Sequence, residues 1–373
     1  MALKSFGEFI RKLLPGPREK HSSFSRLSVA TKKAFLSGAI FVLLFLFFSI
    51  MAPDTFPSMD NLINLSQQVV TYAIIGFGLT FCLVCGGTDL SAGASGALCG
   101  MVLLLLIQLG FPIWLGLIAC LAIGLLTGIL NGLSIEILGV VPFIATLGMQ
   151  WVYRGLANVL PPIGGYVEGN PVYTKDAFAH LAITEIVDGA EVVRNPAREL
   201  FYQFGGGRIT DVFPEFPLPI PWSVFVMIAY GIILAVVLAK TKIGRQVYAC
   251  GSNLEAAKLS GINAVGTRIF AYCVSGLSAA VCGVLVTSRL NSAQPVALTG
   301  IELEAIAAAV LGGVSINGGE GTVLNAFIGA VVIGTLRNGL TMIRISTFWQ
   351  TIIVGVILVA ACAVDAYRHR RTT

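Results

Sequence analysis

The chain has 373 residues, of which 56% are hydrophobic and 12% are charged, and its formal net charge is +5. A soluble domain carries about 25% charged residues, and a chain as apolar as this one would expose large hydrophobic patches in water. The composition therefore excludes an ordinary soluble protein and indicates a polytopic membrane protein covered by lipid. The basic residues cluster beside apolar runs, as membrane topology signals do, so the positive charge does not indicate binding to nucleic acid.

Eight cysteines are present, but their positions do not suggest a disulfide scaffold. Seven lie in or beside apolar runs, whereas Cys250 lies in a polar segment. Cys82 and Cys85 have the Cys-x-x-Cys spacing, yet no second pair and no nearby histidine completes a metal site. We therefore interpret the cysteines as packing residues and expect neither a bound metal nor a cofactor.

Ten apolar segments are long enough, or nearly long enough, to cross a bilayer. The sequence therefore predicts an all-α, polytopic fold with about ten transmembrane helices in a domain that covers residues 34–366. The eighth segment is too short to span and is expected to belong to a broken helix, which membranes tolerate only where it is buried or lines a cavity. The ten segments are 34–51, 69–85, 94–109, 113–130, 143–160, 222–239, 269–286, 301–311, 322–340 and 348–364.

Lysines and arginines predict the orientation, because cytoplasmic loops carry an excess of them. The amino-terminal segment 1–33 holds eight basic residues against two glutamates, so we place it in the cytoplasm. Counting spans from there puts the segment 240–268 and the tail 367–373 on the same side, and both are basic. Both termini are therefore expected to be cytoplasmic.

The same count places residues 161–221 outside the membrane. This stretch contains eight acidic and four basic residues, Pro-rich patches and no cysteine. It is too long for an ordinary loop. We expect a small ordered external insert, with helical turns in 177–187 and 196–204.

Two glycine-rich stretches, 86–93 and 312–319, share a pattern in which Gly-Gly precedes two short polar residues separated by Leu or Ile. The tripeptide Asn-Gly-Leu also occurs twice, at 131–133 and 338–340. Transporters are often built from structural repeats with a substrate site between them. The two stretches therefore suggest an internal repeat.

Glycines at these positions would interrupt a helix and free backbone groups to face a polar passage. The alternative is an ordinary turn that caps the next helix, where a carboxylate is favoured. The sequence leaves both interpretations open. The candidate residues for the passage are Gly87, Thr88, Asp89, Ser91, Ser315 and Asn317.

Arg154 and Arg337 lie inside apolar segments, near the predicted outer end of each. Charge within a membrane is expensive and usually functional. Long basic side chains also reach the interface by snorkelling, and this is what we expect for both arginines.

A short polar segment, 288–295, is predicted on the outer side and leads towards a helix start that contains Glu302. Its residues could contact an external partner or could form a solvated loop, and the sequence does not decide between the two. The candidates for such a contact are Arg289, Asn291, Gln294 and Glu302.

Three common catalytic or nucleotide-binding motifs are missing from the sequence: Gly-x-x-x-x-Gly-Lys-[Ser/Thr], His-Glu-x-x-His and Gly-x-Ser-x-Gly. The chain therefore does not hold ATP on a P-loop, and no esterase-type nucleophile elbow is visible. We expect that the chain is not an enzyme and that another subunit drives it.

The stretch 251–262 lies in the basic segment between two apolar runs. Asn253 is a suitable cap for a short helix over 254–259, and Gly261 is a suitable residue to end it. Ala256 and Ala257 would give this helix a small-residue face, which suits docking into a groove of a partner.

A set of motifs with this order along the chain resembles the permease subunits of bacterial monosaccharide ABC importers, the group that carries ribose, galactose, xylose and arabinose. The resemblance extends from about residue 62 to residue 365. The motifs are Gly-Thr-Asp-Leu-Ser (87–91), Pro-Phe-Ile-Ala-Thr-Leu-Gly (142–148), Gly-x-Asn (251–253), Ala-Ala (256–257), Ser-Gly-Ile (260–262), Ser-Ala-Gln-Pro (292–295), Glu-Leu-Glu-Ala-Ile-Ala-Ala (302–308), Leu-Gly-Gly (311–313), Gly-Gly (318–319) and Gly-Thr (321–322).

The resemblance implies a non-catalytic transport subunit in the bacterial inner membrane. It implies three protein partners, namely a cytoplasmic tandem-domain ATPase, an external sugar-binding protein and a second permease copy, with a homodimer favoured over a sister permease. In the family, a coupling helix fits a groove in the ATPase. The residues that match this element are Gly251, Asn253, Glu255, Ala256, Ala257, Ser260, Gly261 and Ile262.

Two features depart from the usual family pattern. Thr88 is more similar to galactose-type than to ribose-type members, so we expect a hexose such as galactose or glucose, with ribose, a nucleoside or another small polyol as the alternative. The insert 161–221 is longer than is usual, which suggests an adapted external contact. A different class, a stand-alone ion-coupled sugar transporter, would need a charged site at mid-membrane, for which only Asp89 is available.

Overall fold

The computed structural model describes residues 29–160, 170–187 and 190–372 of the chain. Within them the fold is all-α, as predicted, apart from two small β-ladders, which were not predicted from the sequence. The predicted segment 1–33 lies outside the described residues up to residue 28. The helices are α1 (Val29–Met51), α2 (Met59–Val84), α3 (Ala92–Gln108), α4 (Ile113–Glu136), α5 (Pro142–Val159), α6 (Thr174–Ala177), α7 (Pro196–Gly205), α8 (Trp222–Lys240), α9 (Lys242–Ser252), α10 (Leu254–Leu259), α11 (Ala264–Leu290), α12 (Ile301–Gly312), α13 (Val323–Met342) and α14 (Thr347–Thr372).

Ten of these helices coincide with the ten apolar segments, and the other four are α6, α7, α9 and α10. Five helices, α2, α4, α8, α11 and α13, are both long and apolar enough to cross a membrane. The prediction of a polytopic fold is therefore confirmed. The tail 367–373 continues α14 as far as Thr372.

Several helices extend beyond the apolar segments that predicted them. The clearest case is α2, which begins at Met59 because the Ser58 side chain accepts a hydrogen bond from the Asn61 backbone nitrogen. Conversely, α12 is as short as predicted. Gly300 and Gly313 flank it with φ values of +82° and +112°, a conformation that glycine adopts without steric cost.

Glycines allow α4 and α11 to approach until their backbones touch. A Cβ atom built at Gly276 would lie 2.0 Å from the Gly124 carbonyl oxygen, and one at Gly128 would lie 2.4 Å from that of Tyr272. Gly124, Gly128 and Gly132 repeat at four-residue intervals, which is the small-residue spacing of close transmembrane helix pairs. Since α11 also packs on α2 and α3, it is the central helix of the bundle.

The external insert combines short helices with strands. Strand β1 (Val172–Tyr173) pairs with β4 (Ser292–Ala293), and strand β2 (Ile183–Val187) pairs antiparallel with β3 (Ala190–Arg194). The insert is thereby attached to the polar segment that follows α11. Residues 161–169 and 188–189 of the insert lie outside the described residues.

The prediction of helical turns in the insert is half confirmed. The turn expected over 196–204 is α7, which Asn195 caps by accepting from the Arg198 backbone nitrogen. The turn expected over 177–187 is wrong beyond Leu181, because β2 occupies 183–187. Its sequence, Ile-Thr-Glu-Ile-Val, is rich in β-branched residues, which favour strands, and the following Asp188-Gly189 is a hairpin signal that the helical interpretation overlooked.

Segments that the span count placed on one side of the membrane contact each other. On the predicted inner side, the Gly319 backbone nitrogen donates to the Val84 carbonyl oxygen at 2.8 Å. On the predicted outer side, Asn61 and Asn338 exchange side-chain hydrogen bonds of 2.9 Å. The packing is therefore compatible with the sides of the membrane that the span count assigns to these segments.

The α4–α11 contact predicts the effect of adding one methyl group. In Gly276→Ala the new Cβ would clash with the Gly124 carbonyl oxygen, and we expect a loss of about 1–3 kcal/mol in stability, as in other overpacked interiors. The measurement is the Tm of the purified protein in detergent. Gly155→Ala is the control, because nothing lies within 4 Å of a Cβ at that position; equal Tm values for the two variants would contradict the packing argument.

Candidate functional site

The predicted short helix is present with the predicted bounds, as α10. The Asn253 side-chain oxygen accepts from the Ala256 backbone nitrogen at 2.9 Å, so Asn253 is the amino-terminal cap. Gly261 has a φ of +78° and lets the chain leave the helix. Preceding it, α9 is capped in the same way by Thr241, whose hydroxyl accepts from the Gly244 backbone nitrogen.

The two alanines of α10 do not form one small-residue face, and this part of the prediction is wrong. Ala257 is 4% exposed and packs against the core, whereas Ala256 is exposed. Successive helical residues point about 100° apart, so adjacent alanines cannot share a face. Leu259, three residues after Ala256 and therefore on its side of the helix, is 90% exposed.

The other residues that match the coupling element also divide into exposed and partly buried positions. Glu255, Ser260 and Gly261 are exposed, whereas Gly251 and Ile262 are half-buried. The surface that α10 presents is therefore an apolar side chain, Leu259, surrounded by small and polar residues. Sequence reasoning missed Leu259; its position three residues from Ala256 was the available signal.

The base of α10 is tightly connected to the membrane helices. A Cβ at Gly251 would lie 1.7 Å from the Val84 carbonyl oxygen and 2.7 Å from the Gly319 nitrogen, so the end of α9 packs directly on α2 and on the break after α12. Tyr248 donates its hydroxyl to the Gly321 carbonyl oxygen at 2.6 Å. Displacement of α10 would therefore be transmitted to these elements.

A further link holds the start of α11 to the end of α4. The Arg268 guanidinium lies 2.9 Å from the Glu136 carboxylate, and the two side chains are 16% and 8% exposed. Buried pairs of this kind are costly to break, because the remaining charge is left uncompensated. The chain on both sides of α10 is thus fixed to the bundle.

In the first glycine-rich break, Asp89 joins three parts of the fold. One carboxylate oxygen accepts from the Ser91 backbone nitrogen at 2.9 Å, from its hydroxyl at 2.7 Å and from the Asn131 amide on α4 at 3.3 Å. The other oxygen accepts from the Ser275 hydroxyl on α11 at 2.6 Å. Asp89 therefore both turns the chain into α3 and ties α3 to α4 and α11.

Asp89 and Ser91 are each 1% exposed, and Gly87 is also buried. Thr88 is half-buried, and its carbonyl oxygen accepts weakly from Tyr272 at 3.4 Å. In this conformation the group is enclosed by protein. Its role in a passage stays a prediction.

The second glycine-rich break shares one contact with the first. The Ser315 hydroxyl accepts from the Asn317 backbone nitrogen at 3.2 Å, as the Asp89 carboxylate accepts from the Ser91 nitrogen at the equivalent positions. The surroundings differ, because Asn317 is exposed whereas Ser91 is buried. The internal repeat stays a prediction.

The candidate external residues contact different parts of the fold, and the insert covers part of them. The Asn291 carbonyl oxygen accepts from the Thr174 nitrogen at 2.9 Å, and Arg289 donates to the Gln67 carbonyl oxygen at 3.3 Å. Gln294 donates to the Ser292 hydroxyl. Glu302 is only 3% exposed, so in this conformation its side chain is enclosed rather than presented to a partner.

Both arginines inside apolar segments have protein partners, and the expectation that they reach the interface stays a prediction. Arg337 forms an ion pair with Glu304 of α12. Arg154 donates to the carbonyl oxygens of Pro295 and Ala297, at 2.5 Å and 2.7 Å. Both side chains therefore hold neighbouring elements of the fold.

The insert forms a broad cavity of about 870 Å³ on the predicted outer side. Lys175, Arg194 and Arg198 line it, together with Glu199 and Asn291. Among the described residues that line it, three are basic and one is acidic, so this lining is positive although the insert as a whole is acidic. The fold thus places three of the insert's four basic residues on one concave surface.

The contacts of Asp89 predict that it contributes strongly to stability. Asp89→Ala would leave the buried donors of the Ser275 hydroxyl and the Ser91 backbone nitrogen without this acceptor, at a cost of about 1–3 kcal/mol each, and should lower the Tm in detergent. Asn317→Ala, in the exposed part of the second break, should leave the Tm unchanged. An unchanged Tm for Asp89→Ala together with impaired transport would instead support the passage interpretation.

Comparison of the sequence with known proteins identifies the family of the chain. The profile of a family described as branched-chain amino acid transport system / permease component matches residues 61–362. The ribose import permease protein of Haemophilus influenzae is 36% identical over 326 residues, which cover 87% of this chain and 91% of that protein. The xylose transport system permease protein of Escherichia coli K12 is 30% identical, covering 94% and 95% of the two chains. No solved structure matches. The chain therefore belongs to the branched-chain amino acid transport system / permease component family.

Proposed function

We propose that the chain is the membrane-spanning subunit of an ATP-driven importer that carries a monosaccharide across the bacterial cytoplasmic membrane. Its relatives are ribose and xylose permeases, and it has no P-loop of its own. The observation that carries the proposal is α10, a capped helix with an exposed leucine, whose base packs on the membrane helices.

In the proposed mechanism α10 docks into a groove of a separate cytoplasmic ATPase. Leu259 would enter the groove, while Asn253 keeps the helix start rigid by satisfying the Ala256 nitrogen. Closure of the ATPase on ATP would move α10, and the contact of Gly251 with Val84 and Gly319 would pass this movement to α2 and α13. The inner end of the passage would then close while the outer end opens.

The remaining partners follow from the same assignment. An external binding protein would deliver the sugar, and a second copy of this chain would complete the passage, since one chain presents one docking helix. The relatives favour a pentose such as ribose or xylose. The expectation of a hexose rests on Thr88 and stays a prediction.

The docking role of α10 predicts that Leu259→Asp weakens association with the ATPase. Burying a leucine contributes about 1.5–3 kcal/mol, so its replacement by a charge should weaken binding by at least about tenfold. The measurement is co-purification of the ATPase with the permease, together with ATP-dependent uptake of labelled ribose, xylose, glucose and galactose by proteoliposomes.

Val212→Asp is the matched control, because Val212 is 52% exposed but lies in the external insert and does not line its cavity. It should leave ATPase association intact. An ATPase that still co-purifies with the Leu259 variant would refute the docking assignment. Sugar uptake by the permease alone under an ion gradient would refute the importer assignment and favour the ion-coupled alternative.

The positive cavity of the insert predicts where the external binding protein docks. Lys175 is exposed at this cavity, so Lys175→Glu should weaken binding at low ionic strength, and the difference should vanish near 1 M salt, where the Debye length is about 3 Å. Affinity is measured with the permease in nanodiscs. Lys242→Glu, an exposed lysine on the opposite side, is the control, and an equal loss in both variants would exclude the cavity as the docking surface.

A further inference from the structure

A second polar cluster lies in the membrane portion, away from Asp89. It consists of Gln150 and Arg154, one turn apart on α5, and Glu302 in the first turn of α12. Gln150 donates its amide to one Glu302 oxygen at 3.0 Å. Arg154 uses one nitrogen, Nη1, to hold the backbone of Pro295 and Ala297.

Each charged member of the cluster retains an unused polar atom. Glu302 Oε2 and Arg154 Nη2 are buried and have no hydrogen-bond partner among the described residues, although the Glu302 side chain is 97% enclosed. Leaving a buried charged group partly unsatisfied costs more than about 1–3 kcal/mol. An ionisable group within a membrane protein is expensive to bury, which makes it a candidate for a functional site.

The backbone around the cluster is shaped to enclose these atoms. A Cβ at Gly93 would lie 2.5 Å from Glu302 Oε2, so only glycine allows α3 to pass this close. Leu298 has a φ of +58°, a left-handed conformation that is unfavourable for leucine. Local strain of this kind is found mostly at functional sites, where the surrounding structure maintains it.

A comparison with the neighbouring charges separates the cluster from a structural ion pair. Glu304, two residues after Glu302, pairs directly with Arg337, although Arg337 Nε is itself buried without a partner among the described residues. Glu302 and Arg154 do not hydrogen-bond to each other, although both are close to Gln150. The lack of a direct ion pair, together with one unused atom on each of the two charged residues, leaves Glu302 and Arg154 available to a ligand.

The two helices that carry the cluster can separate without loss of a packed interface. α5 packs chiefly on α3 and α4 and has no extensive backbone contact with α12 in the described part of the chain. The hydrogen bond between Gln150 and Glu302 joins them directly, and Arg154 ties α5 to the segment that leads into α12 through Pro295 and Ala297. A movement of α5 that breaks these bonds would open the cluster towards the predicted outer side.

We propose that Gln150, Arg154 and Glu302 form a sugar-binding site in the outer half of the translocation passage, an inference that rests on the proposed function. Carboxylate oxygens accept, guanidinium nitrogens donate, and an amide does both. One positive and one negative charge make the set neutral overall, which suits a neutral polyhydroxyl ligand with adjacent hydroxyl groups. Such a site is weak, as a passage requires.

The experiment compares Glu302→Gln with the matched variant Glu304→Gln in the complete transporter. The permease is reconstituted with its ATPase in proteoliposomes, and sugar-loaded binding protein is added at a saturating amount. The sugar is the one that the wild type takes up fastest among ribose, xylose, glucose and galactose. Glu302→Gln should retain ATP hydrolysis stimulated by the binding protein, while the sugar transported per ATP falls at least about tenfold, a loss of about 1.4 kcal/mol.

Glu304→Gln, which breaks a structural ion pair, should lower the Tm and reduce hydrolysis and transport in the same proportion. If Glu302→Gln cannot be purified, Gln150→Ala provides the same test, because Gln150 is only half-buried. An unchanged amount of sugar per ATP in these variants, or a proportional loss of hydrolysis and transport, would overturn the proposed site. A wild-type complex without ATP-dependent uptake would instead refute the proposed function.

Discussion

The contact between α4 and α11, where Gly124 and Gly276 bring two backbones together, determines where the surrounding helices lie. In lipid the hydrophobic effect does not drive one apolar helix against another, so close van der Waals contact has to hold the helices together. Ser275 directly precedes Gly276 on α11, and Asn131 lies near the end of α4. The close approach of the two helices therefore places both side chains at Asp89. The break before α3 is thereby fixed by the same close approach that organises the bundle.

Charged side chains in the membrane portion have two kinds of partner arrangement. Glu304 with Arg337, and Glu136 with Arg268, form direct ion pairs that join neighbouring helices. Glu302 and Arg154 instead divide their hydrogen bonds among other groups and keep one polar atom each unused. Arg337 Nε is also buried without a partner in the described part of the chain, so the lack of a direct ion pair, rather than an unused atom by itself, distinguishes Glu302 and Arg154 from the groups that hold the fold.

The proposed coupling element is rigid at its base and apolar at its tip. Its base is fixed by glycine contacts to α2 and to the break before α13, while Leu259 faces outward. A helix of six residues has little stability by itself, so its cap and its packing have to maintain it. The arrangement suits the transmission of movement from a partner to the ends of two membrane helices.

The sequence by itself determined the features that depend on local chemistry. Ten apolar segments predicted ten helices, and Asn253 and Gly261 predicted the ends of α10, because membrane spans and helix caps are encoded within a few residues. Tertiary structure alone decided which side of α10 is buried, so that Ala257 is enclosed and Leu259 is exposed. It also decided the partners of Asp89, Arg154 and Glu302. Apart from the contact of Asp89 with Ser91, those contacts join residues more than 40 positions apart, and their geometry is fixed by how closely the helices pack, which local sequence does not encode.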